Sequence, residues 1–369
     1  MENKKYSTVK MRFTCAIIFV VFTYLFLSCY QENVLAMAQH VLSGGMTDYS
    51  YGVAPLLITL VLFLLQLGVF AVTRVKRRFH GLTYFPSMLV LVFITHVPNN
   101  FSECHSLGAW WWIIPLLLIL WGGAMWVVMQ LEPMEQELHS NSWLSKMTWL
   151  NLLQLLFMMF ITIMVTSCDR LMHQRLKMEH LMKNRKYEQA LEVAKKQQET
   201  DSSLTMLRIA CLHETGQMGE KLFTYPLVGG SEAMMPNETS VKALMWQPPV
   251  WLKKPSPWMV KHNKRYRITS DYKLCALLLD KKIDQFAREI TKYYKIDSVA
   301  LPRHYREALV LYTHRRTNPI LVYHNTVMET DFQDYQALER KYPGFKERQA
   351  AMRDTYGNTY WYYYQYGNK

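Results

Sequence analysis

Residues 169–369 contain no apolar run long enough to cross a bilayer, whereas the 168 residues before them are five apolar stretches separated by short polar breaks. That division reads as a multi-pass membrane region followed by a soluble part. The five runs lack Asp, Glu, Lys and Arg altogether. Ionisable groups inside a membrane are costly and mark ion and substrate paths, so their absence argues against an ion-coupled transporter. No HExxH, CxxC or glycine-rich phosphate loop occurs, and the pairs His173/His180 and His304/His314 fit no ligand spacing. Metal binding needs His, Cys or carboxylates that converge, and Ser or Cys nucleophiles stand in no catalytic motif. No metal, cofactor or catalytic residue is therefore expected, and an enzyme is not. Sustained period-two alternation is absent as well, which excludes a sheet. The expected fold class is all-α.

About 17–25 apolar residues cross a hydrocarbon core of roughly 30 Å as a helix. Residues 13–29, 53–72, 109–129 and 149–168 meet that length, and residues 82–97 fall just short. Pro86 in the shorter run is tolerated in a first helical turn. We take residues 82–97 as a fifth span, with a re-entrant segment, and so four spans, as the alternative. Gln66, Asn151 and Gln154 are the main polar residues in the spans and are expected to hydrogen-bond between helices.

Lys and Arg in short loops set orientation. Lys4, Lys5, Lys10 and Arg12 precede the first span, Arg74, Lys76, Arg77 and Arg78 follow the second, and residues 31–52 carry neither residue type. The N-terminus is therefore expected inside, and five spans put the C-terminal part outside. Against this, the next inside loop holds Glu132, Glu135 and Glu137 with only Lys146, while Arg170, Arg175, Lys177 and Lys183 follow the last span. Four spans would satisfy the rule better there. Acidic residues weigh little and large domains translocate regardless of charge, so five spans stand. In that arrangement Cys29, Cys104 and Cys168 share the outer side, where Cys104 is expected to pair with Cys29 or Cys168 in an oxidising compartment.

Residues 169–369 carry 33 Lys and Arg against 22 Asp and Glu, a net +11 of the chain's +13. From Trp149 to Asn184 there is neither Gly nor Pro, so the last span is expected to continue as one helix. A helix from Lys186, one over 204–214 capped by Asp201 and closed by Gly216, and small residues Ala190, Ala194 and Ala210 on shared faces point to tetratricopeptide-like stacking. Six prolines make residues 224–268 irregular. Helices are expected again over 271–279, 284–294 and 303–313, and from a capping box at Thr330 and Gln333.

Three segments, Leu222-Phe-Thr-Tyr-Pro226, Leu301-Pro-Arg-His-Tyr-Arg-Glu-Ala-Leu309 and Thr359-Tyr-Trp-Tyr-Tyr-Tyr364, resemble an uncharacterised family of Bacteroidota membrane proteins. The resemblance implies a multi-pass inner-membrane region with a C-terminal, tetratricopeptide-like helical domain outside the cytoplasm. It implies no activity.

Within the proline-rich stretch, Lys253, Lys254, Lys261, Lys264, Arg265 and Arg267 are interleaved with Trp251, Trp258 and Tyr266. Cationic heads with aromatic bodies suit anionic lipid or a protein partner. Single-stranded nucleic acid is the rival, and a domain outside the cytoplasm does not meet it. The expected function is an integral inner-membrane protein whose helical domain binds a protein or peptide. An accessory subunit of a lipid or polymer transport or assembly system is the alternative, and an enzyme stands third.

Overall fold

The computed structural model describes residues 2–75, 77–96, 109–131, 146–166, 170–193, 195, 199–235, 270–296 and 301–367. The described residues form helices and no strand. They fall into two compact units, residues 1–173 and 174–369.

The first unit holds α1 (Glu2–Leu25), α2 (Glu32–Leu42), α3 (Val53–Thr73), α4 (Phe85–Thr95), α5 (Trp110–Leu131) and α6 (Lys146–Val165). A π-helical turn, Phe26–Tyr30, extends α1, and a 3-10 stretch, Arg77–Tyr84, leads into α4. Four segments are long and apolar enough to cross a membrane: Val9–Tyr30, Val53–Thr73, Trp110–Gln130 and Lys146–Val165. Their outward faces present Phe13, Leu60, Trp112, Ile119, Phe157 and Phe160, all well exposed. An apolar surface of that extent is what lipid covers.

Of residues 82–97, expected as a fifth span, Phe85–Thr95 form α4 with Pro86 in its first turn, and 82–84 belong to the 3-10 stretch instead. Eleven residues of α4 rise only about 16 Å. The break has a local cause: Pro86 stands in the first turn of α4 and has no N–H to continue a helix from before it. The preceding turns tighten to 3-10, with Phe79 at non-helical angles. Pro86, Ser87, Met88, Leu89, Leu91, Val92 and Thr95 are all buried, while Val90 is exposed, so most of α4 is enclosed by the unit.

Side-chain contacts fix the register. Ser87 Oγ donates to Leu62 O at 2.8 Å and Gln66 Nε2 to Thr83 Oγ1 at 3.1 Å, which lays this segment antiparallel to α3. Gly81 N donates to Asn151 Oδ1 at 2.7 Å, Thr162 Oγ1 approaches Met88 Sδ at 3.8 Å, and His96 Nδ1 lies 3.2 Å from Val165 O, which lays it parallel to α6. Trp121 Nε1 donates to Leu82 O and Trp110 packs on His96, so α5 runs antiparallel to it. Gly81 has no room for a side chain, since a Cβ would stand 2.7 Å from Gln154 Oε1 and 3.0 Å from Asn151 O. Gln66 and Asn151 thus bond between elements as expected. Gln154 Oε1 finds no hydrogen-bond partner among the described residues.

The second unit begins within α7 (Arg170–Lys183) and continues with α8 (Tyr187–Glu192), α9 (Ser202–Glu214), α10 (Met218–Lys221), α11 (Ser270–Leu279), α12 (Ile283–Ile290), α13 (Arg303–Arg315), α14 (Thr326–Lys341), α15 (Phe345–Tyr356) and α16 (Tyr360–Tyr366). α6 and α7 are separate elements, with Thr166 already non-helical, so the expected single helix from Trp149 to Asn184 is interrupted. Helices adjacent in sequence pack on each other, α8 on α9, α11 on α12, α13 on α14 and α14 on α15. Asp201 caps α9 by accepting from Leu204 N at 2.8 Å, and Gly216 at φ 68 turns the chain after it. One cap moved. Asn325, not Thr330, begins α14, accepting from Met328 N at 3.0 Å, and Thr330 lies inside the helix with its hydroxyl on Thr326 O.

Candidate functional site

The basic and aromatic residues singled out from the sequence, Trp251, Lys253, Lys254, Trp258, Lys261, Lys264, Arg265, Tyr266 and Arg267, all lie outside the described residues. So do Cys104 and Cys168. Cys29 is exposed, next to Ser28 Oγ at 3.6 Å. Of the proline-rich stretch, the described part runs irregularly from the end of one 3-10 turn, Leu222–Thr224, through a second, Gly230–Met234, and ends at Met235.

A cleft of about 700 Å³ opens in the second unit between α8, α10 and the first turn of α13. Its floor is Leu191 and Tyr225, both nearly enclosed. Burial pushes the Tyr225 phenol above its ordinary range, so it meets a ligand as a neutral hydroxyl. The walls carry both signs: Glu188, Glu192 and Glu220 against Lys195, Lys221 and Arg303. Some of these charges are already committed. Lys195 Nζ donates to Glu192 Oε1 at 2.6 Å, a bond that raises the ammonium's pKa, and Glu220 Oε1 accepts from Arg303 N at 3.0 Å. Gly219 lets α10 come this close to α13, because a Cβ there would stand 2.6 Å from Pro302 Cβ.

Beneath the cleft is a buried network. Glu307, on α13, accepts from Arg303 Nε at 2.8 Å through one oxygen. Its other oxygen takes Tyr360 N at 2.7 Å and lies 2.9 Å from His304 Nδ1. The Glu307 carbonyl takes Trp361 Nε1 at 2.8 Å. Phe223 N donates to His304 Nε2 at 3.3 Å, which makes Nδ1–H the donor toward Glu307. The Phe223 ring stands 5.0 Å from Tyr360 and 4.8 Å from Tyr363. The three segments that carry the family resemblance therefore meet at one place, and they meet as structure: each polar atom of Glu307 and His304 is spent inside the protein. The aromatic tail packs on this network, with Tyr363 OH on Leu279 O and Tyr366 OH on Glu339.

Burial pushes the Cys211 and Cys275 thiols up to about 12, and a thiol that cannot ionise is a poor nucleophile. Asp271 Oδ1 is taken by both Tyr294 OH and Tyr305 OH, at 2.6 and 2.9 Å. Among the described residues no three His, Cys, Asp or Glu side chains converge as a metal site would need.

Residues 252–367 match a family of unknown function (DUF6057). That match covers α11 to α16, and with them Arg303, His304, Glu307 and the tail, while the other cleft residues precede it. No curated protein and no solved structure matches the chain. The sequence offered two signals for this region, the repeat-like turn around Gly216 and the segment 301–309. It offered none for the cleft, whose walls are separated by nearly eighty residues.

Proposed function

We propose that this chain is an inner-membrane protein of a bacterium whose C-terminal helical unit, outside the cytoplasm, binds a protein or peptide partner and performs no catalysis. The observation that carries the reading is the cleft. Stacked helical pairs in the tetratricopeptide manner offer concave faces to polypeptide. A groove with an apolar floor and walls of both signs accepts an extended segment of mixed sequence, whereas a small-molecule site converges a few polar groups on one point. Arg303 is the anchor: Glu307 holds its Nε, so the guanidinium is fixed where it lines the groove. A planar, oriented guanidinium suits a carboxylate of the partner.

The register of residues 80–96 supports the side of the membrane in this reading. One end lies level with Arg12, Phe70 and Asn151, the other with Trp110 and Val165. From Asn151 to Val165 is about 21 Å along a helix, most of the hydrocarbon core. The 3-10 stretch and α4 together therefore support a fifth crossing beside the four long helices. Five crossings with a basic N-terminus inside place the second unit outside.

The test is site-specific photo-crosslinking in intact membranes of cells producing the full chain. A probe at Gln189, in the cleft, is expected to give one discrete polypeptide adduct that Arg303→Glu removes. A probe at exposed Lys346 is expected to give none. Identical adducts from both positions, or none from Gln189, would exclude the cleft as a binding site.

A further inference from the structure

At the end of the membrane unit where Arg12, Phe70 and Asn151 lie level, polar groups from two elements pack on one aromatic ring of a third. The guanidinium of Arg12, on α1, lies over the face of Phe70 with its Cζ 4.3 Å from the centroid. His80, in the 3-10 stretch, packs on the same ring at 5.2 Å, edge-on, and on Tyr84 at 5.7 Å. His80 is 3% exposed, and among the described residues its Nδ1 has no hydrogen-bond partner. Gln154 Oε1, on α6, is likewise unpartnered where α6 meets Gly81.

An unpaired ring nitrogen with this little exposure carries the desolvation cost of a missing bond. A protein that retains such a group beside a cation has a use for a ligand that supplies an acceptor. The surroundings state its sign. Arg74 and Arg78 are exposed at the same end of the bundle, Arg74 closing α3 in a left-handed turn and Arg78 over Phe79 at 5.6 Å. Residues 49–102 contain no Asp or Glu, so α3 and the 3-10 stretch bring only cations to this end, against Glu132, Glu135 and Glu137 in the loop that the five-span reading puts on the same side.

We propose that Arg12 and His80 form a site for an anionic phosphate group, presented by a phospholipid headgroup at the edge of the inner leaflet. Arg12 neutralises the charge, His80 donates Nδ1–H to one oxygen, and the Phe70 ring holds both donors apart at fixed spacing. The depth agrees with a headgroup: Arg12 lies three residues into the span that begins at Val9, where arginine reaches the interface. Basic pockets between helices on this side of a bilayer are suited to anionic lipid.

The experiment uses the full-length chain in detergent, exchanged into phosphatidylcholine nanodiscs with or without phosphatidylglycerol. Retained lipid is counted by native mass spectrometry, and thermal unfolding is followed in parallel. The wild type is expected to retain phosphatidylglycerol and to melt higher in its presence. His80→Phe keeps the ring packing and removes the donor, and is expected to weaken retention about tenfold. Arg12→Gln is expected to weaken it about fivefold, and Arg12→Lys to recover most of that. His80→Phe guards against a trivial failure of Arg12→Gln to fold. A separate titration with inorganic phosphate, at constant ionic strength, separates the sources. Stabilisation by phosphate that His80→Phe abolishes, without lipid retention, would keep the site and assign it a soluble phosphate. Retention and melting that are the same in the wild type, His80→Phe and Arg12→Gln would overturn the proposal.

Discussion

In the membrane unit the buried polar side chains are neutral and mostly local. Thr59, Thr95 and Thr162 each give the hydroxyl to the carbonyl four residues back, while Gln66 reaches one neighbouring element and Asn151 two, the 3-10 stretch and α1. In the C-terminal unit they include charged groups, some of which join distant parts of the chain. Glu307 gathers donors from residues 303, 304 and 360, and fully buried Arg208 reaches Thr200 Oγ1 and Pro226 O. The difference follows from the solvent each unit leaves on unfolding. Within lipid a polar side chain finds partners even in the unpacked helix, so each interhelical bond adds little. In water a buried charge must be fully satisfied, and its network then holds a unique arrangement that is costly to break.

The sharpest way to break this comparison is Glu307→Ala, which leaves His304, Tyr360 N and Arg303 without their acceptor. It is expected to destabilise the C-terminal unit by about 3–5 kcal/mol, read as a fall in Tm or as early proteolysis of that unit with the membrane unit intact. Next is Gly81→Ala, whose methyl meets Asn151 O and Gln154; overpacking of about 1–3 kcal/mol is expected, measured by thermal aggregation of the detergent-solubilised protein. Asn151→Leu keeps the branched shape of the side chain and removes the bonds to Gly81 N and Met11 Sδ. Its expected cost is about 0.6–1.7 kcal/mol, and a loss as large as that of Glu307→Ala would erase the contrast between the units.

The smallest effect is electrostatic and confined to the C-terminal unit. Hydrogen bonds from Lys273 and Lys292 hold the Glu289 carboxyl below its ordinary range. For Asp280, burial raises the pKa, but bonds from Lys282 and Ser231 outweigh it and the net shift is downward. A carboxylate depressed in the folded state stabilises at pH above its unfolded pKa, and that contribution disappears as the pH falls through the lower, folded value. Melting of the C-terminal unit is therefore expected to decline below about pH 4, and Glu289→Gln to flatten the decline.

The four long helices were legible because about twenty apolar residues without a charge have one inexpensive environment. Gln66 and Asn151 were legible for the same reason, as polar atoms that needed partners inside it. The fifth apolar run was legible as apolar but not as a shape, since Pro86 decides between one helix and two pieces. The cap of α14 was misplaced because Thr330-Asp-Phe-Gln333 and Asn325 are both sound helix starts, and only packing selects between them. The cleft was illegible: Glu188, Glu220 and Arg303 each read as ordinary solvated charges until the helices carrying them meet. The three segments that carry the family resemblance gave their meeting point no warning either, because their role is to hold one another.

The account rests most on the fifth crossing, since the side on which the cleft opens depends on it. Alkaline phosphatase and green fluorescent protein, each fused after Lys369 in a bacterial host, read that side directly. Phosphatase activity without fluorescence is the predicted result. Fluorescence without phosphatase activity would mean that residues 80–96 do not complete the passage, and would place the C-terminal unit in the cytoplasm.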